Sequence, residues 1–152
     1  MTARKKQGGA TIVEFALVLL IYLTFVLGII DFSRMLWTWN AANEATRWGA
    51  RVAVVCDRGA GVVLAKMQTF LPQLTAANVV VDWYDAAGNV SAACTFASCS
   101  AVNVRIMNLD YQWVSPIAGA VAATAPIPMP GFSTYLPREI MGQDPGSAAV
   151  CS

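Results

Sequence analysis

The longest hydrophobic segment of the chain lies near its start and has the length of a membrane-spanning helix. Between residues 10 and 30, Glu14 is the only residue with a formal charge. A helix needs about 20 apolar residues to cross a bilayer. We therefore predict a transmembrane helix here. No small-x-small cleavage site follows it, so we expect the segment to remain as an anchor and not to be removed as a signal peptide.

The charges at the two ends of this segment predict its orientation. Arg4, Lys5 and Lys6 precede it, whereas Asp31 and Arg34 follow it. Basic residues next to a membrane-spanning segment tend to stay on the cytoplasmic side. We therefore expect a cytoplasmic N-terminus, a single pass through the inner (cytoplasmic) membrane, and a C-terminal domain in the periplasm.

The helical pattern continues beyond the apolar segment. No proline occurs from residue 35 to residue 55, and apolar residues recur there at the alternating spacing of a helical seam. The predicted seam consists of Ala41, Ala45, Trp48, Val52 and Val55, and we expect it to pack either on the protein's own domain or on a neighbouring subunit. Asn40, Asn43, Glu44, Arg47 and Arg51 form the other face, which we expect to be solvated. We therefore predict one helix over residues 10–55.

The remaining residues, 56–152, carry the pattern of a small domain with both helix and strand. The glycine-containing stretch at 56–61 marks the end of the long helix. Apolar residues then recur with helical spacing, which predicts an amphipathic helix that Pro72 ends or kinks. This apolar stripe consists of Val63, Met67, Phe70, Leu71 and Leu74.

Runs rich in β-branched and aromatic residues predict strands. The first run is "NVVVDWY" at 78–84, and the second alternates from Val102 to Ile106. The apolar phase then shifts, which predicts a β-bulge near Met107. After a proline-rich extended connector, "STYLPREI" predicts a last short strand or tail. The predicted fold class is α+β, with a long N-terminal transmembrane helix that continues into a small domain with an antiparallel sheet.

The four cysteines all lie on the C-terminal side of the apolar segment. They are Cys56, Cys94, Cys99 and Cys151. No C-x-x-C pair occurs, so zinc and thioredoxin-like sites are not indicated. In an oxidising compartment two disulfides can form, with three connectivities. We favour Cys94–Cys99, which closes "CTFASC", together with Cys56–Cys151, and the alternative is four buried free thiols.

Composition and charge exclude several classes of function. Hydrophobic residues make up 57% and charged residues 12% of a chain with net charge +1 and no histidine. This balance favours a membrane or assembly protein, and it gives no reason to expect a nucleic-acid partner. Asp82, Asp85 and Asp110 are the candidates for acid–base or metal chemistry, but no histidine, phosphate loop or nucleophile motif accompanies them. We therefore expect no enzymatic activity, no cofactor and no metal.

A glycine, a glutamate and an aromatic residue stand together where the apolar segment begins. The basic leader ends in Gly9, and "ATIVEF" follows, so that Glu14 and Phe15 are the fifth and sixth residues after the glycine. This arrangement resembles a type IV prepilin processing site of the Tad/Flp pilus kind. The segments "GIIDFSRMLW" and "NAANEATRWGAR" are similar to the N-terminal region of the TadE-like minor pseudopilins. The resemblance implies a pilin-like architecture for the helix and its domain.

The resemblance also implies how the first residues act. A prepilin peptidase would cut between Gly9 and Ala10, which makes residues 1–9 a leader. The carboxylate of Glu14 would then pair with the N-terminal amine of an adjacent subunit, and this pairing offsets part of the desolvation cost of both groups. The alternative is that Glu14, about one helical turn from Ala10, only reaches the headgroup region. The implied partners are the peptidase, other pilins or pseudopilins, the Tad inner-membrane assembly platform and the lipid bilayer.

The residues support two hypotheses about function. The first is a minor pseudopilin that takes part in assembly, initiation or tip formation of a Tad/Flp-type pilus used in adhesion, and that enters the extracellular pilus. Major pilins of that system are much shorter, as the resemblance implies, so the added domain favours a minor role. The second hypothesis is an uncleaved single-pass membrane protein whose periplasmic domain binds a ligand or a partner.

Overall fold

The chain forms two helices and three strands, in an α+β arrangement that confirms the predicted fold class. A computed structural model describes residues 8–56, 61–94, 98–111, 113–115, 119–120 and 127–137. The elements in chain order are α1 (Gly8–Val55), α2 (Val62–Gln68), β1 (Val79–Tyr84), β2 (Ala101–Ile106) and β3 (Phe132–Pro137).

The long helix α1 continues without interruption from the apolar segment into the domain. It contains 48 residues, which corresponds to a length of about 72 Å at 1.5 Å per residue. No proline interrupts it, and its two internal glycines are tolerated because the backbone hydrogen bonds continue through them. Residues 10–30 account for about 30 Å of this length, the thickness of the hydrocarbon layer of a bilayer.

The three strands form one antiparallel sheet in the order β1-β2-β3. Val79 pairs with Ile106, which in turn pairs with Phe132. The central strand buries Val102, Val104 and Ile106, and the sheet packs with this face on the outer half of α1. A direct hydrogen bond of 3.0 Å between the hydroxyls of Thr46 and Thr134 joins the helix to β3.

The β-bulge expected near Met107 does not form, because β2 ends at Ile106. Asn108 takes a φ of 53°, a left-handed conformation that asparagine tolerates better than most residues. This residue interrupts the ladder, and the chain continues as a connector that pairs again at a bridge between Asp110 and Pro128 and buries Leu109 and Tyr111. The shift in apolar phase therefore reports a strand end and not a bulge.

The buried face of α1 is composed mainly of small residues. Ala42, Ala45, Ala50 and Ala53 are fully buried. Side chains of this size allow the sheet and α2 to approach the helix backbone closely. Glycine extends this stripe at Gly49, where an added Cβ would lie 2.7 Å from the sulfur of Met67.

Trp48 was predicted to lie in the apolar seam, and this prediction is wrong. Its side chain is 39% exposed, and its indole N–H donates to the Glu44 carboxylate at 2.9 Å. The ring stacks on Phe70 at 6.1 Å, and the Arg51 guanidinium lies over it at 5.2 Å. Glu44 also forms the expected pair with Arg47 at 3.5 Å. The indole therefore belongs to the solvated face. At this turn of the helix it is Gly49, and not Trp48, that faces the domain.

The second helix is shorter than its apolar stripe. α2 ends at Gln68, before Pro72, and turns follow it. The stripe nevertheless packs as predicted, since Val63, Met67, Leu71 and Leu74 are buried. The apolar pattern thus predicted these buried residues correctly, but it placed the end of the helix a few residues beyond Gln68.

The close approach at Gly49 gives a test of this packing. Gly49→Val places a branched side chain against the fully buried Met67, and overpacking of this kind costs about 1–3 kcal/mol. We expect a lower unfolding free energy for the domain in detergent, measured by denaturant titration with near-UV circular dichroism. The matched control is Gly28→Val, because an added Cβ at Gly28 meets nothing within 4 Å. Equal stability of the two variants would contradict the packing described here.

Candidate functional site: the N-terminal helix and its junction with the domain

The apolar half of α1 is covered by no other described part of the chain. Its most hydrophobic window of 18 residues has a mean hydropathy of 2.6, and none of that window is buried. Phe15 and Phe25 are 67% and 70% exposed. Large apolar surfaces of this kind mark contacts with a membrane or a partner. Among the described residues, α1 is the one helix long and apolar enough to cross a membrane.

The structure places the predicted processing residues in the first turns of α1. Gly9, Ala10, Glu14 and Phe15 are all exposed, and Glu14 lies one helical turn beyond Ala10, on the same side of the helix. Neither of the two ion pairs formed by the described residues involves Glu14. The carboxylate is therefore available to a group outside the described chain. Residues 1–7 of the predicted leader lie outside the described residues.

A buried carboxylate joins the helix to the domain where the apolar segment ends. Asp31 is 2% exposed. Its Oδ1 accepts the backbone N–H of Val114 and its Oδ2 accepts that of Ser115, both at 3.0 Å. Hydrogen bonds to an ionised group are roughly twice as strong as those between neutral groups. We call this contact, together with the Tyr111 hydroxyl described next, the Asp31 junction.

Tyr111 adds a third hydrogen bond to the Asp31 junction. Its hydroxyl donates to the backbone carbonyl oxygen of Asp31 at 3.0 Å. Burial raises the pKa of the phenol above its ordinary 10.0, the Asp31 charge raises it further, and Arg34 lowers it. Because the pKa of Tyr111 is raised in the folded state, the stability that its protonated hydroxyl contributes is fully present below pH 10. That stability is lost as pH rises through the folded pKa. The phenol therefore stays a donor throughout the neutral range.

Asp31 was predicted only as a charge after the apolar segment, and its junction with the domain was not predicted. The helical period nevertheless places Asp31 on the same stripe as Thr38, Ala42 and Ala45. All four residues are buried. A charged residue on the stripe that faces the domain needs a hydrogen-bonding partner, and this pattern could have identified it. The partners at 114 and 115 carry no sequence signature, because they are backbone groups.

Within the described residues, the structure contains the favoured disulfide between Cys94 and Cys99. Cys94 and Cys99 are joined, with a Cα–Cα distance of 5.1 Å. Cys56 is buried at the end of the helix and is disulfide-bonded. Its predicted partner, Cys151, lies outside the described residues. The bond between Cys94 and Cys99 closes a small loop on the side of the sheet where β2 begins.

The three aspartates considered for chemistry lie apart and have separate structural contacts. Asp82 forms an ion pair with Arg105 on the neighbouring strand. The Oδ1 of Asp85 accepts the backbone N–H of Ala87 and that of Asn89 and so closes the turn after β1. Asp110 is exposed on the connector after β2. Within the described part of the chain, no group of three or more histidine, cysteine or acidic residues could hold a metal ion.

Comparison with protein families bears on the N-terminal helix. Residues 9–51 match the family model described as TadE-like protein. The match includes the predicted processing residues, the apolar segment and Asp31. No curated protein and no solved structure matches the chain. The match confirms, over residues 9–51, the resemblance to the TadE-like family that the sequence of this helix predicted.

Removal of the Asp31 carboxylate tests the junction. Asp31→Ala leaves the two N–H groups that it accepts without a partner, and we expect a loss of roughly 2–4 kcal/mol in unfolding free energy. Asp31→Asn keeps one acceptor oxygen and should lose less. Denaturant titration in detergent measures both variants. The control is Asp110→Ala, at an exposed position on the same connector, and a loss no greater than in this control would refute the role of Asp31.

Proposed function

Because residues 9–51 make this chain a TadE-like protein of the Tad/Flp pilus system, we propose that it is a minor pseudopilin. It takes part in assembly, initiation or tip formation of the pilus and so in surface attachment. The observation that carries this proposal is the family match over a helix whose most apolar window has no buried residue. Such a helix needs lipid or other helices around it.

The position of Glu14 supports an assembly role in particular. The side chain is exposed within the apolar half of α1, where an unpaired carboxylate is costly. Cleavage after Gly9 would create an amine at Ala10, and a neighbouring subunit would present that amine to Glu14. Such a pair satisfies both charges only when the two helices are in register. Glu14 thereby makes helix association specific and not merely hydrophobic.

The remaining parts of the proposal concern location and partners. Before assembly, the helix crosses the inner membrane with its N-terminus in the cytoplasm and its domain in the periplasm. The basic residues before the apolar segment support this orientation, and the disulfide in the domain is consistent with an oxidising compartment. The prepilin peptidase, other pilins or pseudopilins, and the Tad assembly platform are the proposed partners.

A second candidate function is an uncleaved membrane anchor with a binding domain. Its support is the sheet and second helix that follow the apolar segment, which form a domain together with the outer half of α1. In this alternative, the leader stays attached and Glu14 lies in the headgroup region. The two functions predict different N-termini for the mature protein, which makes them separable by one measurement.

The mass of the N-terminal peptide distinguishes these functions. We expect the protein purified from membranes to begin at Ala10, because a prepilin peptidase cuts after Gly9, and to keep its leader in a strain without the peptidase. Mass spectrometry of the digested protein from both strains measures this. A chain that retains Arg4 to Gly9 in both strains would overturn the pseudopilin proposal and favour the anchor.

Replacement of Glu14 tests its role in assembly. Loss of one partner of a buried ion pair costs about 3–5 kcal/mol, so we expect Glu14→Ala to lower the number of pili per cell at least about tenfold. The amount of protein in the membrane should not change. Electron microscopy and immunoblotting of membrane fractions measure the two quantities.

The matched control for this test is Glu44→Ala. Glu44 lies on the same helix but contacts Trp48 and Arg47 outside the apolar segment. Cells with this variant should carry a normal number of pili. A normal number in the Glu14→Ala strain as well would show that the carboxylate takes no part in assembly.

A further inference from the structure

The position of the Asp31 junction relative to a bilayer follows from the length of the apolar segment. Residues 10–30 occupy about 30 Å, the whole hydrocarbon layer, and the polar headgroup layer adds roughly 5–7 Å beyond it. Asp31 is the next residue, so it lies within that headgroup layer. The backbone N–H groups of Val114 and Ser115 lie 3.0 Å from its carboxylate. These residues must therefore lie in the same layer.

The side chains at this height suit a lipid surface. Val114 is 52% exposed, although its backbone N–H is held by Asp31. On the helix, Phe32 is 56% exposed and lies about 1.5 Å beyond Asp31 along the helix axis. These two exposed side chains continue the apolar surface of the transmembrane segment into the headgroup layer.

The charge at this height also suits lipid. Arg34 is exposed one turn after Asp31, and neither ion pair of the described residues includes it. A guanidinium is well suited to bind phosphate oxygens, and the headgroup layer contains phosphate. The loop thus presents an apolar side chain, Val114, next to a cation, Arg34. The headgroup layer can accommodate both, because it contains phosphate groups and borders the acyl chains.

From these observations, we propose that the loop at residues 113–115 docks on the headgroup layer of the bilayer that α1 spans. Val114 enters the boundary between headgroups and acyl chains, and Arg34 faces the lipid phosphates. The domain then rests on the membrane and does not swing on its helix. The inference rests on the membrane-spanning part of the proposed function, but not on processing or assembly.

The far end of the domain offers a control position. Val104 contacts the helix at Gly49, about 27 Å beyond Asp31 along the helix axis. The chain from Val104 to Tyr111 therefore has to run towards the membrane, and the start of β2 points away from it. Val90 pairs with Tyr84 next to that distant end. It is also an exposed valine, at 60%.

A photoreactive diazirine amino acid at single positions tests the docking. The full chain is reconstituted in vesicles of phosphatidylcholine and phosphatidylglycerol, without other pilus components, and irradiated. Adducts are identified by mass spectrometry at position 114, at position 90, and at position 22 inside the apolar segment. We expect at least about tenfold more lipid adduct at 114 than at 90, because position 90 lies about 20 Å or more beyond the headgroup layer.

Each other outcome overturns the proposal in a recognisable way. Lipid adduct at 22 with equal, low yields at 114 and 90 would leave the membrane span intact and refute the docking. Cross-links from 114 to a second copy of the chain would show that protein covers the loop. Absence of lipid adduct at 22 would remove the span on which the docking rests. Asp31→Ala should lower the lipid adduct at 114 and not at 22, whereas Asp110→Ala should change neither.

Discussion

Every backbone polar group in the hydrocarbon layer has to be hydrogen-bonded within its own segment, and this requirement determines the form of the chain. α1 meets it over the apolar half and then continues unbroken to Val55. Because the helix does not end at the membrane surface, the domain folds against a rigid element that is already oriented by the bilayer. α2, β2 and β3 all contact this helix. The helix therefore determines the position of the domain relative to the membrane.

Two kinds of contact hold the domain on this helix. One determines how closely the domain approaches the helix, and the other determines its height and rotation. Buried alanines such as Ala42 and Ala45 permit a close approach but impose little direction, since their dispersion contacts tolerate small rotations. The Asp31 carboxylate is directional, because both of its oxygens accept a backbone N–H from the same loop. The alanines thus bring the layers together, and the junction sets the height and rotation at which they meet.

The sequence predicts the parts of this molecule that rest on periodicity and misses those that rest on backbone contacts. The long helix, both early strands and the stripe of α2 all follow from spacing, because burial imposes its period on the side chains. Trp48 was misplaced, since an indole is apolar enough for a core and polar enough to bond Glu44 at the surface. Gly9 and Glu14 were singled out by their spacing as a predicted processing and assembly site. The role of Asp31 was not predicted, because its partners are amides that any residue could supply.

The hydrogen bond between Thr46 and Thr134 has a consequence for the order in which the chain folds. It joins residues 88 apart in sequence, and contacts of such separation form late. Because the chain is synthesised from its N-terminus, the residues of α1 are complete long before those of β3. The alanine face of α1 therefore stays exposed to solvent during that time. Alanine presents little apolar area compared with leucine or phenylalanine. The alanine side chains that permit close packing in the folded domain therefore also limit non-specific hydrophobic association of the chain before its synthesis is complete.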